Sequence, residues 1–121
     1  MSTTPEYIAA FRERAERGRN EIEVAISDTV CDMVDDTVVP ELMKYVGNSN
    51  FSGIVQLLLE EASKAITEGF SEISKWSAND RVFGRFQQHI NGECADDEET
   101  KAVLRGLRIE KTYDRYIVVA A

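Results

Sequence analysis

The first thirty residues place apolar or small side chains at Ile8, Phe11, Ala15, Gly18, Ile22, Ala25 and Thr29. These alternating steps of three and four form a seven-residue repeat, the period of a helix seam. Thr4-Pro5-Glu6 supplies a helix start: a capping hydroxyl, proline at the first helical position and an acid in the first turn. Gly18, Asn20 and Glu23 resemble a stop followed by a new capping box, yet the apolar phase does not change across Gly18. The expectation is therefore a long or once-broken amphipathic helix over residues 5–36. Unbroken, it spans ~48 Å at ~1.5 Å per residue, against a radius of gyration of ~14 Å for a domain of this size. Such a helix projects from the core. Its weak seam of small residues predicts self-association as a homo-oligomer through Ile8, Phe11, Arg12, Ala15, Arg19 and Ile22.

The same segment is electrostatically one-sided. Between Arg19 and Lys44 there is no basic residue, and there are seven carboxylates: Glu21, Glu23, Asp28, Asp32, Asp35, Asp36 and Glu41. On a helix, Asp28, Asp32, Asp35 and Asp36 share one face, at i, i+4, i+7 and i+8. Like charges at this spacing oppose helix formation, and near a helix C-terminus the dipole opposes them again. Charge placed at such a cost predicts a surface for a partner. Asp28, Asp32, Asp35, Asp36 and Glu41 are the candidate partner-binding residues, and a protein with a basic surface is the predicted partner.

Charge elsewhere is less informative. A second acidic run, Glu93 with Asp96, Asp97, Glu98 and Glu99, falls where a helix begins, so the positive helix end accounts for it. Each of the two runs, residues 28–41 and 93–99, holds five acids; with a net charge of −8, the remaining chain is basic by two. No clustered basic surface for direct nucleic-acid binding is expected. At 121 residues and 43% hydrophobic composition the chain reads as one folded domain, residues 1–121. No apolar stretch approaches the ~18 residues of a membrane span, and Met1 to Glu6 lacks the regions of a signal peptide, which predicts a cytoplasmic protein. Cys31 and Cys94 lack metal-type spacing and are expected to be reduced, buried thiols.

Downstream, Pro40 opens a short helical segment from Glu41 to Val46, stopped by Gly47. Ser52 is a cap candidate for a helix through Ile54, Val55, Leu58, Leu59, Ala62, Ala65 and Ile66, ending near Gly69. Phe70 to Trp76 reads either as a strand or as a continuation of that helix to Lys75. A further helix begins at Asn79 or Asp80 and places Val82, Phe83, Phe86 and Ile90 on its apolar side, with Gly92 at its end. Asp96 starts the next, closed by Gly106. Leu107–Lys111 alternates apolar and charged residues, and Arg115–Ala120 is apolar on both faces, so a hairpin turning near Tyr113-Asp114 is expected. The predicted class is α+β, mainly α, with a long N-terminal helix, further helices and a small antiparallel sheet ending in a C-terminal hairpin.

Catalytic signals are sparse. His89 is the sole histidine and no pattern pairs it with a nucleophile, although Cys94 lies five residues on. The Glu-x-x-Glu pairs with which all-α nucleotide pyrophosphatases hold Mg²⁺ are incomplete: Glu60-Glu61 is followed by Ser63 and Lys64, and Glu68 and Glu72 are four apart. No cofactor, metal site or catalytic residue is assigned. The expected function is that of a non-catalytic acidic interaction module, a regulator or inhibitor of the kind viruses and mobile elements encode. Two alternatives stand beside it: a nucleic-acid mimic occupying a DNA- or RNA-binding protein, and a Mg²⁺-dependent nucleotide hydrolase built on the clustered carboxylates.

Overall fold

A computed structural model of the chain describes residues 21–94 and 97–121. The protein is mainly helical, with a two-stranded antiparallel sheet at its C-terminal end. Among the described residues the first helical run, α1, takes in residues 21–45. It is α-helical to residue 33, passes through a π turn at Val34–Val38, continues as α-helix over Val39–Leu42 and tightens to a 3₁₀ turn at Met43–Tyr45. Helices α2 (Phe51–Gly69), α3 (Lys75–Ile90) and α4 (Glu98–Leu104) follow, then strands β1 (Leu107–Lys111) and β2 (Tyr116–Ala120).

The buried stripe of α1 is Ile26, Val30, Val34, Val38 and Leu42. These steps of four advance ~400° each on an α-helix, so the stripe drifts around the rod. A π turn holds more residues and returns Val38 and Leu42 toward the core. Val39 donates its N–H to the Val34 carbonyl, five residues back. Pro40 has no N–H to continue the ladder, and it lies two residues beyond this widened turn. The helix expected to end near residue 36 thus runs on without interruption, and Pro40 lies inside it. The buried stripe is offset by one position from the seven-residue repeat, whose own members Ile22, at 41%, and Ala25 are exposed and Thr29 is half-buried. Larger β-branched side chains one position along bury more apolar area than Ala and Thr, and packing follows area. Ile8, Phe11, Arg12, Ala15 and Arg19 lie outside the described residues.

The α2 helix buries Val55, Leu59, Ala62 and Ile66, and α3 buries Ala78, Val82, Phe83 and Phe86. The two pack on each other, the π turn of α1 lies against both, β2 covers α2, and β1 covers α3. Asn50, not Ser52, occupies the N-cap position of α2. Neither expectation for Phe70 to Trp76 is met. The α2 helix stops at Gly69, residues 70–74 turn, and Ser74 caps α3 by accepting the Ser77 N–H at 3.2 Å. The start of α3 therefore lies four residues ahead of Asn79. Gly92 follows α3 with φ of 78°, a left-handed conformation that suits glycine. Asp97 caps α4, its carboxylate accepting the Thr100 N–H at 3.0 Å and the Thr100 hydroxyl at 2.7 Å, while Asp96 lies outside the described residues.

The hairpin pairs Leu107 with Ala120, Ile109 with Val118 and Lys111 with Tyr116. Gln56, a buried polar residue of α2, fastens it to the core. Its Nε2 donates to the Tyr116 carbonyl at 2.7 Å, and its Oε1 accepts the Val118 N–H at 2.7 Å. One amide side chain thereby does for β2 what a neighbouring strand would. Tyr116 is stacked between Trp76 and Phe83, with centroids at 5.4 and 5.2 Å, and the Lys111 ammonium lies 5.6 Å from the Trp76 and Tyr116 rings.

Candidate functional site

The four aspartates of α1 do not share one environment. Asp28, Asp32 and Asp36 follow the core residues Ile26, Val30 and Val34 by two positions each. Two residues rotate a helix by ~200°, so these carboxylates leave from the side opposite the core. All three are exposed, and no lysine or arginine among the described residues comes within ion-pair distance of them. Glu21 and Glu23 are exposed on the same helix. Glu23 and Asp28 share a shallow cleft of about 450 Å³ with Val24, Ser27 and Arg81. In it the Arg81 guanidinium contacts the Ser27 hydroxyl at 3.4 Å.

Asp35 differs because it follows Val34 by one position, on the π turn, and so leaves from the flank that meets α3. Arg85 donates to both of its oxygens, Nε to Oδ1 at 3.0 Å and Nη2 to Oδ2 at 2.5 Å. His89 Nε2 lies 2.6 Å from the same Oδ1. Arg85 and His89 are one helical turn apart and converge on a single carboxylate. Arg85 also donates to the side-chain Oε1 of Gln88 at 2.8 Å. The guanidinium holds the Asp35 carboxyl below its ordinary range, with His89 acting in the same direction and burial opposing both. Asp35 in turn raises the pKa of Arg85. Glu41 is compensated within its own helix by the Lys44 ammonium at 2.8 Å.

The Asp–His pair has the composition of a catalytic dyad, but its geometry differs. His89 is 5% exposed, and its other nitrogen, Nδ1, is buried with no hydrogen-bond partner among the described residues. A general base needs that nitrogen within reach of a substrate proton. Here it faces the interior, so the pair fastens α1 to α3. The Cys94 Sγ, beyond α3, lies 3.8 Å from the side-chain Oε1 of Gln88; burial raises its thiol pKa, and Arg85 partly offsets that rise. Both cysteines are free and half-buried. No group of three His, Cys, Asp or Glu side chains among the described residues is placed to hold a metal ion. No helix among them is long and apolar enough to cross a membrane.

Sequence reasoning singled out Asp35 but not its partners. The signal for them was Arg85 and His89 at i and i+4, two cationic or proton-bearing groups on one face of a helix.

The fold and this site define a mainly helical α+β domain with an outward acidic row and an inward ion-paired aspartate. No protein family matches the chain, and no curated protein or solved structure is significantly similar to it.

Proposed function

We propose that the protein is a non-catalytic interaction module that docks a basic partner protein through Asp28, Asp32 and Asp36, and that this docking regulates or inhibits the partner. The observation that carries the reading is the division of the acidic cluster. Asp35 turns inward and is neutralised by Arg85, whereas the three aspartates opposite the core stay exposed without a described cation. A row of like charge on a rigid helix steers an oppositely charged surface and fixes its orientation. Asp35 belongs to the support of this surface: it holds the helix that carries the row.

The test is capture of bound protein from cell extract, identified by mass spectrometry, with wild type and a triple Asp28→Asn, Asp32→Asn, Asp36→Asn variant. The variant is expected to fold as wild type and to lose a basic protein that wild type retains. If both capture the same proteins, docking through this row is wrong. Adding DNA or RNA to the wild-type complex separates the two binding readings, because release of the partner would identify the row as a nucleic-acid mimic.

A further inference from the structure

The two edges of the C-terminal sheet are treated differently. Thr112 donates its N–H to the Arg115 carbonyl at 2.9 Å, and Ala121 donates to the Gly106 carbonyl at 2.8 Å. With the register of the hairpin, this sets which residues face across it: residues 108 and 110 point their backbone groups at β2, and residues 107, 109 and 111 point theirs away. The corresponding outward groups of β2, at Tyr116 and Val118, are taken by Gln56. The outward groups of Leu107, Ile109 and Lys111 have no hydrogen-bond partner among the described residues. One edge is closed by a side chain, and the other is open.

The sequence of the open edge is complementary to itself. If a second β1 lies antiparallel about a two-fold axis at Ile109, then Ile109 faces Ile109, Leu107 faces Lys111, and Arg108 faces Glu110. The outward backbone groups at 107, 109 and 111 then meet in three hydrogen-bonded pairs. Arg108 and Glu110 fall in the non-hydrogen-bonded pairs, where side chains approach more closely. Both are exposed, and within one chain they already touch at 2.7 Å. Two copies would close these into a square of alternating charge. Parallel pairing in register would instead align like charges.

We propose that β1 is a strand-addition site for a second copy of this chain, forming a continuous four-stranded antiparallel sheet across a two-fold axis. Five residues of edge bury less than the ~1,000 Å² of a stable interface, so the pairing is reversible and concentration-dependent. It stands apart from the acidic row of α1, and its failure would leave the docking reading intact.

Charge reversal tests the register. Sedimentation velocity over a concentration series is expected to show wild type moving from 13.6 kDa toward twice that mass. Arg108→Glu places four acids in the square and Glu110→Arg places four bases, so each alone is expected to weaken association about tenfold or more. Mixed together, the two variants place acids opposite bases again and are expected to restore it as a heterodimer. Circular dichroism should show both variants folded, since both positions are exposed. A wild type that stays monomeric at the highest concentration reached overturns the proposal. So does association that survives both single reversals, or a mixture that remains monomeric.

Discussion

Asp35 and Asp36 are adjacent on the π turn and differ only in the side of α1 from which they leave. Asp35 reaches Arg85 and His89, while Asp36 reaches solvent. Removing a charge should therefore have very different consequences at the two positions. Asp35→Asn removes the charge facing a partly buried guanidinium and leaves one acceptor oxygen where Arg85 and His89 use two, with an amide NH₂ in place of the other, a loss of about 1–3 kcal/mol. Asp36→Asn should change stability by less than about 0.5 kcal/mol. Urea unfolding of the two variants beside wild type checks this. The folded state depresses the Asp35 pKa, so its contribution is complete above about pH 4, the ordinary carboxylate range. It is lost as pH falls through the lower folded-state value. The stability gap between wild type and Asp35→Asn should therefore be full at neutral pH and narrow below about pH 4. Thermal melts along an acid series read it.

At the scale of elements, the hairpin was legible because Leu107 and Ile109 alternate with Arg108 and Glu110, and no other local structure suits that pattern. The start of α4 was legible to within two residues, because acids gather at a helix N-terminus. The segment between α2 and α3 was misread for a definable reason. Phe70, Ile73 and Trp76 fit a helical spacing as well as a strand, and neither pattern reveals that Ser74 caps the following helix through Ser77. Ser74→Ala should cost about 1 kcal/mol, measured as a lowered denaturation midpoint with an unchanged slope. The π turn left still less trace. Its cause combines the four-residue spacing of Val30, Val34 and Val38, Pro40 two residues beyond Val38, and the demand that one stripe stay buried. Only the last acts through tertiary packing, and it decided the geometry. Asp35 could be picked out from the sequence, but its role depended on a contact 50 residues away that no local pattern encodes.

Across the whole molecule, charge is sorted along the chain. Residues 20–43 carry seven acids and no base, while residues 101–115 carry Lys101, Arg105, Arg108, Lys111 and Arg115 against Glu110 and Asp114. The acidic excess thus belongs to α1 and the basic excess to α4 and the hairpin. The proposed docking through the exposed row would act through solvent, where the screening length is ~10 Å at ~0.1 M salt. Partner binding should therefore weaken steeply as salt rises, chiefly through a slower association rate. Stopped-flow or surface-binding kinetics at several ionic strengths would show it, and a salt-independent rate would remove the steering role. The Asp35–Arg85 pair is more shielded and shorter, so stability should respond to salt less than docking does.

The attachment of β2 to Gln56 has a consequence in time. The two hydrogen bonds join residues 60 and 62 positions apart, whereas the hairpin closes across only a short turn. Contacts of such separation wait on the ordering of the intervening chain. The hairpin and helices α2 and α3 can each take shape first, and the amide of Gln56 then joins them late. A contact made after the rate-limiting step changes how fast the protein comes apart and leaves the rate of assembly nearly untouched. Gln56→Ala is expected to accelerate unfolding with little change in refolding, so that the unfolding arm of its chevron shifts alone. By this account Gln56 serves as a latch, controlling how long the sheet stays attached once the fold is made.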